Sequence, residues 1–206
     1  MTTKAWHGTT GRLSNPANWS PAGAPISGDV AIINYGTVSA VADDFVPDLT
    51  IQLLAGGLSP TLIVSSATIQ ATDQIAISSG PGSNATLEIM GAVNNAGLIS
   101  LGGSNKLGTD VIGLLDSSSG PTTLTNTGII GLFASINNLG SNANTLVNNG
   151  VLSTYSPQAL TWEASVNVSI TGSGVIRVGH LTYSDRPARY QAKPSTWKMP
   201  TGVVEQ

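Results

Sequence analysis

No cysteine occurs among the 206 residues. That excludes a disulfide framework, a thiol nucleophile and any cysteine-based metal site. Charge is almost as scarce. Only 9% of residues are charged, against about 25% in an ordinary soluble domain. Disordered chains combine low hydrophobicity with high net charge, whereas here 40% of residues are hydrophobic and the net charge is −3. The Lys, Glu, Arg and Gln that normally build helical surfaces are largely missing. No apolar run approaches the roughly 20 residues that span a bilayer, so no membrane insertion is expected. The opening Met1-Thr-Thr-Lys-Ala-Trp-His7 lacks the apolar centre of a secretory signal. What is abundant is Ser, Thr, Asn, Val, Ile and Gly, with 24 glycines. These residues suit stacked strands and tight turns.

The few charges are unevenly placed. Between Leu13 and Ile176 the only basic residue is Lys106, while nine of the eleven acids, Asp29 to Glu163, fall in that stretch. The end reverses sign with Arg177, Arg186, Arg189, Lys193 and Lys198. An acidic body does not neutralise phosphates, so no nucleic-acid partner is expected. A basic end segment suits the acidic body of a neighbouring copy. A homo-oligomer is therefore expected, with a surface glycan as the other candidate partner.

Residues 29–183 read as a series of short strands. Runs such as Asp29-Val-Ala-Ile-Ile33, Thr61-Leu-Ile-Val64 and Ala85-Thr-Leu-Glu-Ile89 alternate apolar and polar positions. Clusters of Gly, Ser, Asn and Pro separate them. Four segments repeat one form: Val93-Asn-Asn-Ala-Gly-Leu-Ile99, Leu124-Thr-Asn-Thr-Gly-Ile-Ile130, Leu146-Val-Asn-Asn-Gly-Val-Leu152 and Ser169-Ile-Thr-Gly-Ser-Gly-Val-Ile176. Their glycines, Gly97, Gly128, Gly150 and Gly174, are spaced by 31, 22 and 24 residues. That period suits one rung of a solenoid. The longer step points to an inserted loop between Gly102 and Gly120. An antiparallel sandwich would show Asn-Gly or Asp-Gly hairpins, and Asn149-Gly150 is the one such pair. The expected fold is thus an all-β parallel solenoid over residues 29–183. Residues 1–28 form an N-terminal cap, and 184–206 an extended basic tail. Glycine at the corner is expected to supply positive φ. Asn94, Asn126 and Asn148 are expected to form a hydrogen-bonded ladder between rungs.

The first 33 residues carry Trp6-His-Gly8, Asn18-Trp-Ser20, Pro21 to Pro25 and Gly28-Asp-Val-Ala-Ile32. With the Asn-x-Gly rungs, this resembles bacterial autotransporter passengers and large adhesins. The resemblance implies a right-handed parallel β-helix and a role in adhesion, biofilm matrix or surface coating. The chain is much shorter than typical passengers. The setting implied is extracellular or cell-surface by a leaderless route. A virion spike, fibre or decoration is the alternative.

Chemistry on such a coil needs facing groups. A glycosidase needs two carboxylates about 5–9.5 Å apart, and the candidates Asp73, Glu88, Asp110, Asp116 and Glu163 form no recognisable motif. His7 and His180 each stand alone, and no Gly-x-Ser-x-Gly elbow is present. Asp43, Asp44 and Asp48 offer oxygens for calcium but read better as a solvated loop. No catalytic residue, metal or cofactor is expected, and the chain is read as a non-enzyme. A polysaccharide-binding or polysaccharide-cleaving coil remains the rival, with Trp162 and Trp197 as stacking platforms. Trp6 and Trp19 are assigned to the cap. Arg186, Arg189, Trp197, Val203 and Val204 are the candidates for self-assembly into a filament or coat.

Overall fold

A computed structural model describes residues 1–55, 58–79, 83–101, 110–132, 135–154, 169–178 and 195–198. The alternating runs coil into a parallel β-solenoid with three sheets. Sheet I contains Thr3–Trp6, Val30–Ile33, Thr50–Ala55, Gln74–Ser79, Leu98–Leu101, Ile129–Leu132, Val151–Thr154 and Val175–Val178, all parallel. Sheet II contains Thr10–Arg12, Thr37–Val41, Thr61–Ser65, Thr86–Met90, Val111–Leu115 and Ser135–Asn138. Sheet III contains Thr68–Ile69, Ala92–Asn95, Thr123–Asn126, Thr145–Asn148 and Ser169–Thr171. In the middle of the coil the chain passes from sheet I to II to III and returns one rung further on. Helical structure among the described residues is confined to two short 3-10 turns, Pro16–Asn18 and Ala42–Asp44.

Period-2 alternation puts every second residue inside. The parallel register then stacks like on like. Ala31, Ile51, Ile75, Ile99, Ile130 and Leu152 form one inward column of sheet I. Val38, Leu62, Leu87, Ile112 and Ile136 form another in sheet II. Val93, Leu124 and Leu146 form a third in sheet III. All are buried. Burying each large side chain is worth about 1.5–3 kcal/mol as an upper bound. No rung buries its apolar face alone, so the column is the unit of stability.

The coil starts earlier than the sequence suggests. Thr3–Trp6 and Thr10–Arg12 already pair in parallel with the next rung, so they belong to the coil and the cap is the segment that follows them. That segment returns as Trp19–Ser20, antiparallel to the first strand. Trp6 and Trp19 meet edge to face at 5.2 Å, both buried. Trp19 Nε1 donates to the Leu13 carbonyl at 2.8 Å. At the other end, Ser195–Lys198 pairs antiparallel with Val175–Val178. Part of the expected extended tail, Ser195–Lys198, is therefore joined to sheet I. An antiparallel strand closes each end of that sheet, which covers edges otherwise open to pairing.

The register in sheet I steps from Leu98 to Ile129, Val151 and Val175, by 31, 22 and 24 residues. These are the spacings of the glycine repeat. The reason for glycine differs from the expectation. Gly97, Gly128, Gly150 and Gly174 are not among the residues with left-handed φ. A Cβ on Gly128 would fall on the carbonyl oxygen of Gly97, and one on Gly150 on that of Gly128. Those same carbonyls accept the amides of Ile129 and Val151 at 2.9 Å. Glycine is required because two backbones approach closely there.

Candidate functional site

The amide ladder runs through Asn95, Asn126 and Asn148. Asn95 Nδ2 donates to Asn126 Oδ1, and Asn126 Nδ2 to Asn148 Oδ1, both at 2.8 Å. Each Nδ2 also reaches the carbonyl of the first residue of a sheet I strand: Ile129, Val151 and Val175 at 3.3, 3.2 and 3.4 Å. All three asparagines are fully buried. Asn94, the expected first member, is exposed and pairs in register with Thr125. A shift of one residue on a strand exchanges the inner face for the outer one. The ladder stops below Asn95 because the matched position there is Ile69. Asn95 Oδ1 consequently has no partner among the described residues.

The acids are also placed by the coil. At the residue just before a strand, a side-chain oxygen accepts the amide of the matched residue one rung earlier. Asp29 accepts Thr2 N at 2.8 Å, Asp73 accepts Leu49 N at 3.1 Å and Asp110 accepts Ala85 N at 3.2 Å. Asn144 does the same for Thr122 N at 2.6 Å. The second oxygens of Asp29 and Asp73 close their own turns, on Ile26 N and Gln70 N. These clasps are hard to see in sequence because each side chain alone looks like turn chemistry. The signal was there: an Asp directly precedes the strand runs Val30–Ile33, Gln74–Ser79 and Val111–Leu115.

Asp116 holds a neighbouring loop. It accepts Ser141 N at 2.7 Å, Ser141 Oγ at 2.8 Å and Asn142 N at 3.1 Å, with Asn144 Nδ2 at 3.3 Å. Burial raises its pKa, but these bonds outweigh burial and hold it below the ordinary value. The Gly102 to Gly120 stretch is thus not one simple loop, since Val111–Leu115 within it is a sheet II strand. Asp44 accepts Val41 N at 2.9 Å and lies 3.4 Å from Arg12. Asp43 and Asp48 are exposed. Among the described residues no three acidic or histidine side chains gather as a metal site.

Glu88 is different. It sits on the outer face of sheet II, between Ile63 one rung before and Gly113 one rung after. Half-burial pushes its carboxyl up. No described residue hydrogen-bonds to it or pairs with it. Leu139 lies across Gly113, where a Cβ would strike Leu139 Cδ1.

His7 is exposed near the cap. Trp197 lies in the closing strand, in register with Ile176. Glu163, Trp162, His180, Arg186, Arg189, Val203 and Val204 lie outside the described residues. The structure defines the class as a parallel β-solenoid. No protein-family model, curated protein or solved structure matches the chain.

Proposed function

We propose that this chain is a non-enzymatic structural or adhesive protein of the cell-surface or matrix type, which associates with copies of itself. The observation that carries this reading is the use of the polar side chains. Asp29, Asp73, Asp110, Asp116, Asn126, Asn144 and Asn148 bind backbone or one another between rungs. Groups held this way stiffen a rod and are poorly placed to exchange protons with a substrate. The resemblance to adhesin and autotransporter rungs points the same way. Adhesion to a neutral glycan draws on one further feature. Thr123, Thr125, Thr145, Ser169 and Thr171 project outward from sheet III, which presents hydroxyls without charge.

Light scattering on the full chain and on a chain lacking residues 184–206 tests the reading. The full chain is expected to form particles larger than one copy, and the shortened chain smaller ones. Monomers before and after removal would sink it.

A further inference from the structure

We propose that the outer face of sheet II around Glu88 docks the basic segment containing Arg186 and Arg189 from a second copy of this chain. This rests on the self-association reading above and gives it a site.

The face mixes apolar and hydroxyl side chains, with Thr61, Ser65 and Thr86 among its outward positions. Ile63, Met90, Val111 and Leu115 occupy outward positions of adjacent strands, and Leu139 is 48% exposed beside them. Gly113 has no side chain, and the space where its Cβ would stand is shared by Leu139 Cδ1 and, at 3.9 Å, Glu88 Cγ. One carboxylate stands in the middle of this surface without a partner among the described residues. A half-desolvated carboxylate of that kind is costly until a cation meets it. A guanidinium fits better than an ammonium. Its plane lies against aliphatic groups while its paired N–H groups bind both carboxylate oxygens.

The remaining charges of the chain indicate where that cation comes from. Lys4 donates to the carbonyls of Pro21 and Ala22, and Arg12 pairs with Asp44. Of the other six basic residues, Lys106 stands alone and lies outside the described residues, and five cluster from Arg177 onward. Charge complementarity therefore selects the C-terminal segment.

Covalent geometry selects another copy's segment over the chain's own. Val178 and Ser195 are register partners, so the sixteen residues between them leave and return at one point. Half of that length spans about 26 Å at full stretch. Glu88 lies in the rung of Gln74–Ser79, four rungs from Val175–Val178 along sheet I. At about 4.8 Å per rung that is about 19 Å along the axis, before the passage around the corner to sheet II. Only a fully extended tip would reach. A neighbouring coil meets no such limit.

The interface is asymmetric, with a face on one copy and a segment on the other. Two full-length variants separate the halves: Glu88→Gln, and Arg186→Gln combined with Arg189→Gln. Sedimentation velocity over a dilution series reads the association constant, and circular dichroism checks the fold of each. Each variant alone is expected to associate at least about tenfold more weakly than the unaltered chain. An equimolar mixture should regain pairs, because the intact face of one meets the intact segment of the other. Undiminished association of Glu88→Gln would overturn this site and leave self-association standing. So would loss in the arginine variant alone. An unaltered chain that is monomeric at every concentration would remove the self-association reading itself. Should Glu88→Gln fail to fold, the arginine variant mixed with unaltered chain decides. Added in excess, the arginine variant is expected to cap assemblies of the unaltered chain and lower their mean mass, because its intact face takes a segment while it offers none, and an unchanged mass contradicts the site.

Discussion

Asn126 donates from Nδ2 to Asn148 Oδ1 at 2.8 Å, one rung further along the coil. The same Asn126 accepts from Asn95. Replacing it with Ala leaves a buried N–H on one side and a buried carbonyl on the other. Asn126→Ala is expected to lose about 2–4 kcal/mol in urea unfolding. The outward Asn94→Ala should change stability by less than about 0.5 kcal/mol. Equal losses at the two positions would contradict the ladder.

The orphan Oδ1 of Asn95 marks the ladder's end. Asn95→Leu moves that orphan one rung along, to Asn126, whereas Asn126→Leu leaves unmet groups on both sides. The former is expected to be milder by about 1–2 kcal/mol. Paired urea titrations of the two variants measure it.

The glycine corner separates crowding from backbone freedom. Gly128→Ala places a methyl on the Gly97 carbonyl. The expected loss is about 2–4 kcal/mol, or failure to fold. Gly131→Ala, three residues on, meets nothing closer than the Ile99 carbonyl at 4.0 Å and should stay within about 0.5 kcal/mol. Thermal melts of both variants check the contrast.

Asp116 predicts an acid-sensitive loop. Its folded pKa lies below the ordinary 3.8. Protonation is therefore easier in the unfolded chain. The stabilisation is complete above 3.8 and is lost as pH falls through the lower folded value. Hydrogen-exchange protection of Ser141 and Asn142 should hold from neutral pH to mild acid and vanish below that window. Asp116→Ala should remove it at every pH.

Glu88 predicts the opposite sign. Burial raises its pKa from 4.5, so the folded chain holds that proton more firmly than the unfolded chain. The penalty is absent below 4.5 and complete once pH has passed the folded value. Glu88→Gln, compared under conditions where the chain is monomeric, should gain less than about 1 kcal/mol at pH 7. The gain should disappear near pH 4. A loss at pH 7 would show that Glu88 already has a partner within its own chain.

The later rungs were legible because close backbone approach leaves a trace in sequence. Gly97, Gly128, Gly150 and Gly174 recur at the register of sheet I. The earlier rungs do not show the repeat in sequence, because Asp29 and Asp73 clasp the same corner with a carboxylate, and Leu49 occupies it without either device. The first two strands do not stand out as rungs in sequence because Lys4 and Gly11 occupy inward positions that the next rung fills with Ala31 and Val38. Sequence alone puts the ladder on Asn94, one residue from the inward Asn95. Composition shows that an asparagine pair is present, but only the pleat decides which member points inward. Glu88 looked like any strand glutamate. Its setting is made by Ile63, Gly113 and Leu139, which lie 25 to 51 residues away in the chain.

The most direct test of the account is the mass of the full-length particle in light scattering as concentration rises. A single copy weighs 20.9 kDa. Docking of the basic segment on the Glu88 face predicts a mass above that value which grows with concentration and falls back when Glu88 or the two arginines are replaced. A mass of one copy at every concentration would contradict it.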